Sequence, residues 1–469
     1  MSAQRQRPID FATAGLLLAH RVGRNCGIRV QAIELGFEVT DTHFMPVETK
    51  GLKFLVRALG SRNFRLFFFG QAVSLIGTWM QLIAMRWLVY RLTKSELMLG
   101  VVGFVSDIPL FLLVPFAGVL ADRLKRHRIM VVTQALSALQ AALLAVLVLT
   151  DQVAVWHVLV LGGLLGIVGA FDITARQAFI VDIIEAREDL PNAIALNSFI
   201  FNGALLIGPA VAGVLIALVG EGPCFALNSL SYLAVLGALV LMEIPEKKFS
   251  SSPLNVKAAV MEGATYALAS VPIRSILMLV AVVSLIAASY PLLMPVFAED
   301  ILHGGPLVYG YLMSATGVGA LFGAIFLASR SRLKGLAEMI VIAGILYGAG
   351  LFALSFSQLL AIALIIALML GFSLMMQMAS SNTIVQSIVE DQKRGRVLSL
   401  FVMARRGVES LGSLLFGAIA NLVGTPGALM IGGTVCLLAV AAFASKLPSI
   451  RQASRSFDEA RKQARHGSS

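Results

Sequence analysis

From residue 66 onward the chain alternates between long apolar runs and very short polar breaks. A helix needs about 20 predominantly apolar residues to cross a bilayer. Twelve runs qualify: 66–91, 98–120, 129–150, 154–176, 192–219, 223–242, 275–298, 307–328, 337–356, 359–385, 398–423 and 426–446. Several breaks are only GEGP (220–223), FSQ (356–358) or GTPG (424–427), and connections this short make consecutive helices antiparallel. The pattern predicts an all-α membrane protein with twelve transmembrane helices, numbered here spans 1 to 12.

The apolar pattern also repeats. GALLIGPAVAGVLIALVG (203–220) and GVESLGSLLFGAIANLVG (407–424) place Gly203, Gly208, Gly213 and Gly220 in register with Gly407, Gly412, Gly417 and Gly424, and IVDII (180–184) matches IVQSI (384–388) at the same offset. Spans 1–6 and 7–12 are therefore read as two pseudo-symmetric six-helix halves, a parallel repeat found in transporters. Glycines at this spacing allow close helix approach. The resulting division is a cytoplasmic extension (1–60), a first half (61–243), a polar central linker (244–272) with a surface helix, a second half (273–447) and a basic tail (448–469). FATAGLLLAH in the extension is too short to span and lacks signal-peptide flanks, so residues 1–44 are expected to be dispensable.

Composition agrees with the pattern. Of 469 residues, 58% are hydrophobic and 13% charged, against roughly 25% charged in a soluble domain. Cys26, Cys224 and Cys436 are too scattered for a metal cluster or a disulfide framework. The charges that remain are unevenly placed. Arg123, Lys125, Arg126 and Arg128 follow span 2, Arg330, Arg332 and Lys334 follow span 8, and Lys393, Arg394 and Arg396 follow span 10. Among the opposite loops only the first, with Arg91 and Lys94, is basic. The positive-inside rule then puts both termini in the cytoplasm. The net charge of +11 is mostly this topology signal plus the tail, and no aromatic or Gly-rich module accompanies it, so no nucleic acid is expected.

The run GVLADRLKRHR (118–128) after span 2 resembles the major facilitator motif G-x-x-x-D-R-x-G-R-R: Gly118, Asp122, Arg123 and Arg126 match, Arg128 supplies a further basic residue, and Lys125 replaces the usual glycine. GPAVAG (208–213) resembles the superfamily's antiporter motif in span 5, with Ala212 for one closing glycine. RNFRLFFFGQAVSLIGTWM (62–80), ARQAFIVDII (175–184), LPNAIALNS (190–198), FALNSLSYL (225–233) and KRGRVLSL (393–400) resemble the branch of enterobactin exporters and macrolide efflux proteins. The resemblance implies alternating access, with Gly118, Asp122, Arg123, Arg126, Gly208, Pro209, Gly213, Arg394, Gly395 and Arg396 forming a conformational latch. It places Asp122 at the N-terminus of span 11, where the helix dipole favours an anion. It also implies a cavity lined by spans 1, 4, 7 and 10.

Energy coupling is expected at charges in lipid depth, each costing about 2.5–3.5 kcal/mol at the bilayer centre unless it faces a partner or a cavity. The candidates are Arg86, Asp107, Asp172, Arg176, Arg405 and Glu409. At about 1.5 Å rise per residue, Arg405 and Glu409 lie about 10 and 16 Å above the cytoplasmic entry of span 11, and Asp107 about 20 Å above the same face. One buried cluster of Asp107 with an Arg405–Glu409 pair is expected across the halves. For Asp172 and Arg176, at i, i+4, a structural salt bridge is the favoured reading. A substrate path needs polar groups on an apolar wall. Gln71, Ser74, Thr78 and Gln81 in span 1, Tyr290 in span 7, and Ser373, Gln377 and Ser380 in span 10 are the candidates, with Pro291 and Pro295 able to bend span 7.

No P-loop, H-E-x-x-H or G-x-S-x-G occurs, and GAGLFA (348–353) lies inside a span without a preceding strand. The expected protein is not an enzyme and needs no cofactor. It is a secondary exporter of small amphipathic molecules, siderophore or drug-like, with protons and the bilayer as its other partners and a monomer sufficing. An importer or lysophospholipid flippase on the same fold is the alternative. A scaffold or sensor that does not transport is the alternative of another class.

Overall fold

The computed structural model describes residues 57–243, 256–329 and 335–451, apart from 185 and 288. The expected extension up to residue 56, the linker between 244 and 255, the basic loop 330–334 and the tail from 452 lie outside the described residues. The described chain is nearly all helical. The first half runs Arg62–Thr93, Glu96–Arg123, Arg126–Leu149, Val155–Ile183, Leu190–Val219 and Gly222–Val240. Spans 8, 9 and 10 are Gly305–Ala328, Leu336–Leu354 and Leu360–Ile388. Several helices outrun their apolar cores: span 1 starts at Arg62 and span 4 continues to Ile183. Backbone hydrogen bonding does not stop where hydropathy does.

Span 7, Val271–Ile301, is broken around its prolines. It passes from α-helix into a π turn over Val283–Ala287, a 3-10 turn over Tyr290–Leu292 and a second π turn over Phe297–Ile301. Pro291 and Pro295 lack the N–H that a regular helix requires. The Tyr347 hydroxyl donates to the freed Ala287 carbonyl at 2.9 Å. Spans 11 and 12 form one helical stretch ending at Ala444, split at Gly424, where φ is 76° and ψ 162°. The chain reverses there: a Cβ at Gly432, as far beyond the break as Phe416 is before it, would lie 3.2 Å from the Phe416 ring. Its repeat mate Gly220 turns with φ 82° and ψ −177°. Both turns need the positive φ that glycine accepts.

The repeat is thus a repeat of contacts. Gly208 packs against Trp79 and Ile76 of span 1, and Gly412 against Ser284 and Leu285 of span 7. A Cβ at Gly213 would lie 2.8 Å from the Gly310 Cα of span 8, and one at Gly417 would lie 2.8 Å from the Gly100 Cα of span 2. The halves therefore meet along spans 5 and 8 and along spans 2 and 11.

One end of the bundle, where Thr93 lies, is closed between the halves. Tyr90 donates to Asp300, Lys94 pairs with Glu299 at 3.8 Å, and Trp87 stacks on Tyr309 with centroids 6.3 Å apart and planes at 23°. At the Arg126 end the described ion pairs stay within one half or reach the linker helix: Arg126–Asp182, Arg57–Glu188, Arg62–Glu243 and Arg396–Glu262.

Candidate functional site

Along span 2 one line of residues faces span 11. Gly100 and Gly103 lie against Ser413, and Phe111 covers Gly407. Asp107 sits on that line between them, so it faces span 11 rather than lipid. Its side chain is exposed, yet it stands within electrostatic reach of Glu409 and Arg406 on span 11 and of Arg86 on span 1. An accessible carboxylate with charged neighbours from both halves borders the space between them. Arg86 in turn lies beside the hydroxyl of Tyr309 on span 8, and Glu409 is within reach of Tyr347 on span 9.

Asp107 and Glu409, the two acids of the expected cluster, stand within electrostatic reach of each other across the halves. The described ion pair of Glu409 is with Arg406, at 3.8 Å and i, i+3, not with Arg405 at i, i+4. The cause is a π turn over Met403–Gly407. A π turn takes in an extra residue and so shifts the face presented by residues on its two sides.

The other predicted charges divide differently. Asp172 is buried and fully engaged within the first half: Thr133 Oγ1 donates to it at 2.9 Å, Gln134 Nε2 at 2.7 Å, and Arg176 pairs with it. All three of its donors belong to the first half. Of the latch residues, Gly118, Asp122 and Arg123 are described only in their backbone, which stays helical to Arg123. Arg126 donates to Asp182 at the foot of span 4 at 2.8 Å. Gly208 and Gly213 make the close contacts given above, and Pro209 lies inside span 5 with them. The second basic group turns elsewhere. Arg394 donates to the Gln386 carbonyl at 3.2 Å, Arg396 pairs with Glu262, Lys393 lies 4.5 Å from the Tyr266 ring, and Gly395 is exposed. These contacts include two that pin the linker helix Val256–Ala269 against the start of span 11.

The expected substrate path needs correction. Gln71, Ser74 and Gln81 are buried at 1%, 3% and 1% exposure. They share their face with Gly70 and Gly77, which touch span 6. Gln81 donates to Gln140 of span 3 at 2.9 Å and accepts from Asn228 of span 6 at 2.6 Å, while Thr78 bonds Ser74 O and lies 3.3 Å from the Tyr232 hydroxyl. The stripe looks into the first half. The opposite side of span 1 is open and carries Phe69 and Val73. Tyr290 is likewise internal, bonded to Thr316 at 2.9 Å and packed edge-on against Tyr347. Ser373 bonds its own helix at Met369 O, and Gln377 and Ser380 are fully buried without a hydrogen-bond partner. A stripe of polar residues shows that one helix face avoids lipid; it does not say whether that face meets a cavity or another helix. Arg406, Tyr309 and Trp87 do not stand out in the sequence.

Known proteins share this arrangement. The family model described as transmembrane secretion effector matches residues 57–465. The staphyloferrin A transporter of Staphylococcus aureus is 27% identical over 394 residues, covering 81% of this chain and 96% of that protein. The multidrug efflux pump Tap of Mycolicibacterium fortuitum is 25% identical over 82% of this chain and 96% of its own length, and macrolide efflux protein A of Streptococcus pyogenes 21% over 80% and 94%. Among solved structures, a bacterial homolog of the human lysosomal transporter Spinster superposes with a TM-score of 0.62 at 13% identity, covering 87% of this chain and 99% of that one. A POT family transporter superposes with a TM-score of 0.66 at 11% identity over 83% and 97%. Twelve spans in two repeated halves, and a family match over nearly the whole described chain, lead to one conclusion: this chain belongs to the transmembrane secretion effector family of major facilitator transporters, a multi-pass membrane protein that moves small molecules and is not an enzyme.

Proposed function

We propose that this transporter is an exporter that drives small amphipathic molecules, siderophore or drug-like, out of the cell by exchange for protons. The observation that carries this reading is the Asp107 cluster. Asp107 stands within electrostatic reach of Arg86, Arg406 and Glu409, so four charged residues from three spans of both halves lie near one another. Two carboxylates beside arginines in the space between the halves offer a place where a proton can be taken up or given away. Direction is supported by the relatives named as efflux proteins. Orientation follows the basic residues: Arg126, Arg128, Lys393, Arg394 and Arg396 at one end against Arg91 and Lys94 at the other. The Arg126 end then faces the cytoplasm, both termini are cytoplasmic, and the closed Thr93 end faces outward.

The test is transport in inside-out vesicles with an acid interior, using a macrolide and staphyloferrin A, the cargoes named for its relatives. Uptake of either should follow the pH gradient and collapse with a protonophore. Uptake indifferent to the gradient overturns the proton-exchange reading.

A further inference from the structure

At the Thr93 end the first half holds a cavity of about 410 Å³, between the ends of spans 1, 3 and 5 and the start of span 6. Small-molecule pockets run to about 300–1,000 Å³. Trp87, Leu149 and Val219 line it with hydrocarbon, and Arg91, Asp151 and Glu221 bring three charges. Glu221 is 4% exposed, and an acid so buried needs a partner. Arg91 Nε donates to its Oε1 at 2.7 Å. The fold of a half does not call for this carboxylate. Glu221 stands directly before span 6 yet makes no side-chain bond to cap that helix. Its repeat mate, one residue after the Gly424 turn, is the neutral Thr425, and the same turn forms there. Asp151 closes span 3 at φ 54°, where its N–H donates to Val148 O at 3.2 Å and that of Gln152 to Leu147 O at 2.9 Å. Glycine is the usual residue at such a left-handed helix end. An aspartate there instead puts an exposed carboxylate on the cavity, and among the described residues it has no ion pair.

We propose that this cavity is a binding site for an ammonium-bearing amphiphile, apart from the space between the halves. Its lining carries two carboxylates and one guanidinium, and the guanidinium is already bonded to Glu221. The ammonium takes the charge of Asp151, and the hydrocarbon lies on Leu149, Val219 and Trp87. Trp87 also stacks on Tyr309 across the halves, so an occupant touches a residue of the seal. The site requires neither a transport direction nor a coupling ion. Its ammonium comes from a dissolved amine or from an aminophospholipid of the surrounding leaflet.

A chain carrying Trp79→Phe and Trp156→Phe keeps Trp87 as its one tryptophan. Bromine quenches tryptophan emission near contact. In phosphatidylcholine nanodiscs, a bromoalkylammonium added from water should quench Trp87 saturably, and the bromoalkyl sulfonate of the same chain length much less. Asp151→Gly keeps the left-handed turn, so its unfolding temperature should hold while the half-saturating amine concentration rises about fivefold. Glu221→Gln leaves the Arg91 charge in the cavity without its partner and should weaken quenching at least as much. A second arm uses no amine and compares nanodiscs of chain-brominated phosphatidylethanolamine with those of chain-brominated phosphatidylglycerol. Stronger quenching from the former, lost in Asp151→Gly, identifies the lipid headgroup as the source; equal quenching from both identifies the dissolved amine. The site is overturned if neither the amine nor phosphatidylethanolamine quenches Trp87 beyond its anionic counterpart, or if that preference survives in both Asp151→Gly and Glu221→Gln.

Discussion

At the scale of single residues, Asp107 and Asp172 show why two acids in lipid depth have different expected roles. Asp107 has neighbours from both halves and an exposed carboxylate. Asp107→Asn should therefore abolish gradient-driven export while leaving substrate binding within a few-fold, measured by vesicle uptake beside equilibrium binding. Asp172 is bonded only within the first half. Removing one partner of a buried ion pair costs about 3–5 kcal/mol, so Asp172→Ala should lower the unfolding temperature in detergent and the membrane yield, whereas the Asp107 variant should not. Equal thermal loss in both would contradict the division. Both acids stand out in sequence as charges within apolar runs. What the sequence does not carry is the direction of each side chain. Gln71, Ser74 and Gln81 share a stripe that fits a cavity wall as well as a helix–helix seam; the bonding of Gln81 to Gln140 and Asn228 and the burial of all three put it in the seam.

Among elements, the glycine repeat was the most readable feature, because a period shared by two segments survives uncertainty about any single residue. Its structural meaning is now specific: Gly213 on Gly310 and Gly417 on Gly100 close the Thr93 end from two sides. Gly213→Val or Gly417→Val should force the backbones apart, and insertion of extra carbon into a packed seam typically costs about 1–3 kcal/mol. Each variant should raise the labelling rate of a cysteine placed at Trp87 several-fold, read with a membrane-impermeant maleimide. The π turns were not legible, since Met403–Gly407 has no proline and an ordinary helical composition; they decide that Arg406 meets Glu409. The linker helix offers a milder case. Its Arg396–Glu262 pair is partly exposed, with side chains at 37% and 53%, and such pairs contribute about 0–1 kcal/mol. Arg396→Glu should speed proteolysis at the linker only a few-fold, and adding Glu262→Arg should restore the original rate.

For the whole molecule, the twelve spans followed from apolar run length and the halves from the repeat, while the closure of one end was invisible in sequence. Closure depends on contacts such as Trp87 with Tyr309, between residues far apart in the chain and unremarkable in their own helices. The described part of each half also keeps its own company at the linker. Glu243 is tied back to Arg62 and Asn63, at the start of the first half, whereas the linker helix is tied to span 11 through Arg396 and Lys393. Among the described residues, then, the peptide between 244 and 255 joins two bodies that each satisfy their own ends. A gene cut at that point should still encode a working carrier. Two separate messages, one ending after residue 243 and one beginning at a new start codon before residue 256, should yield polypeptides that insert independently, find each other through spans 2, 5, 8 and 11, and co-purify on a tag carried by either.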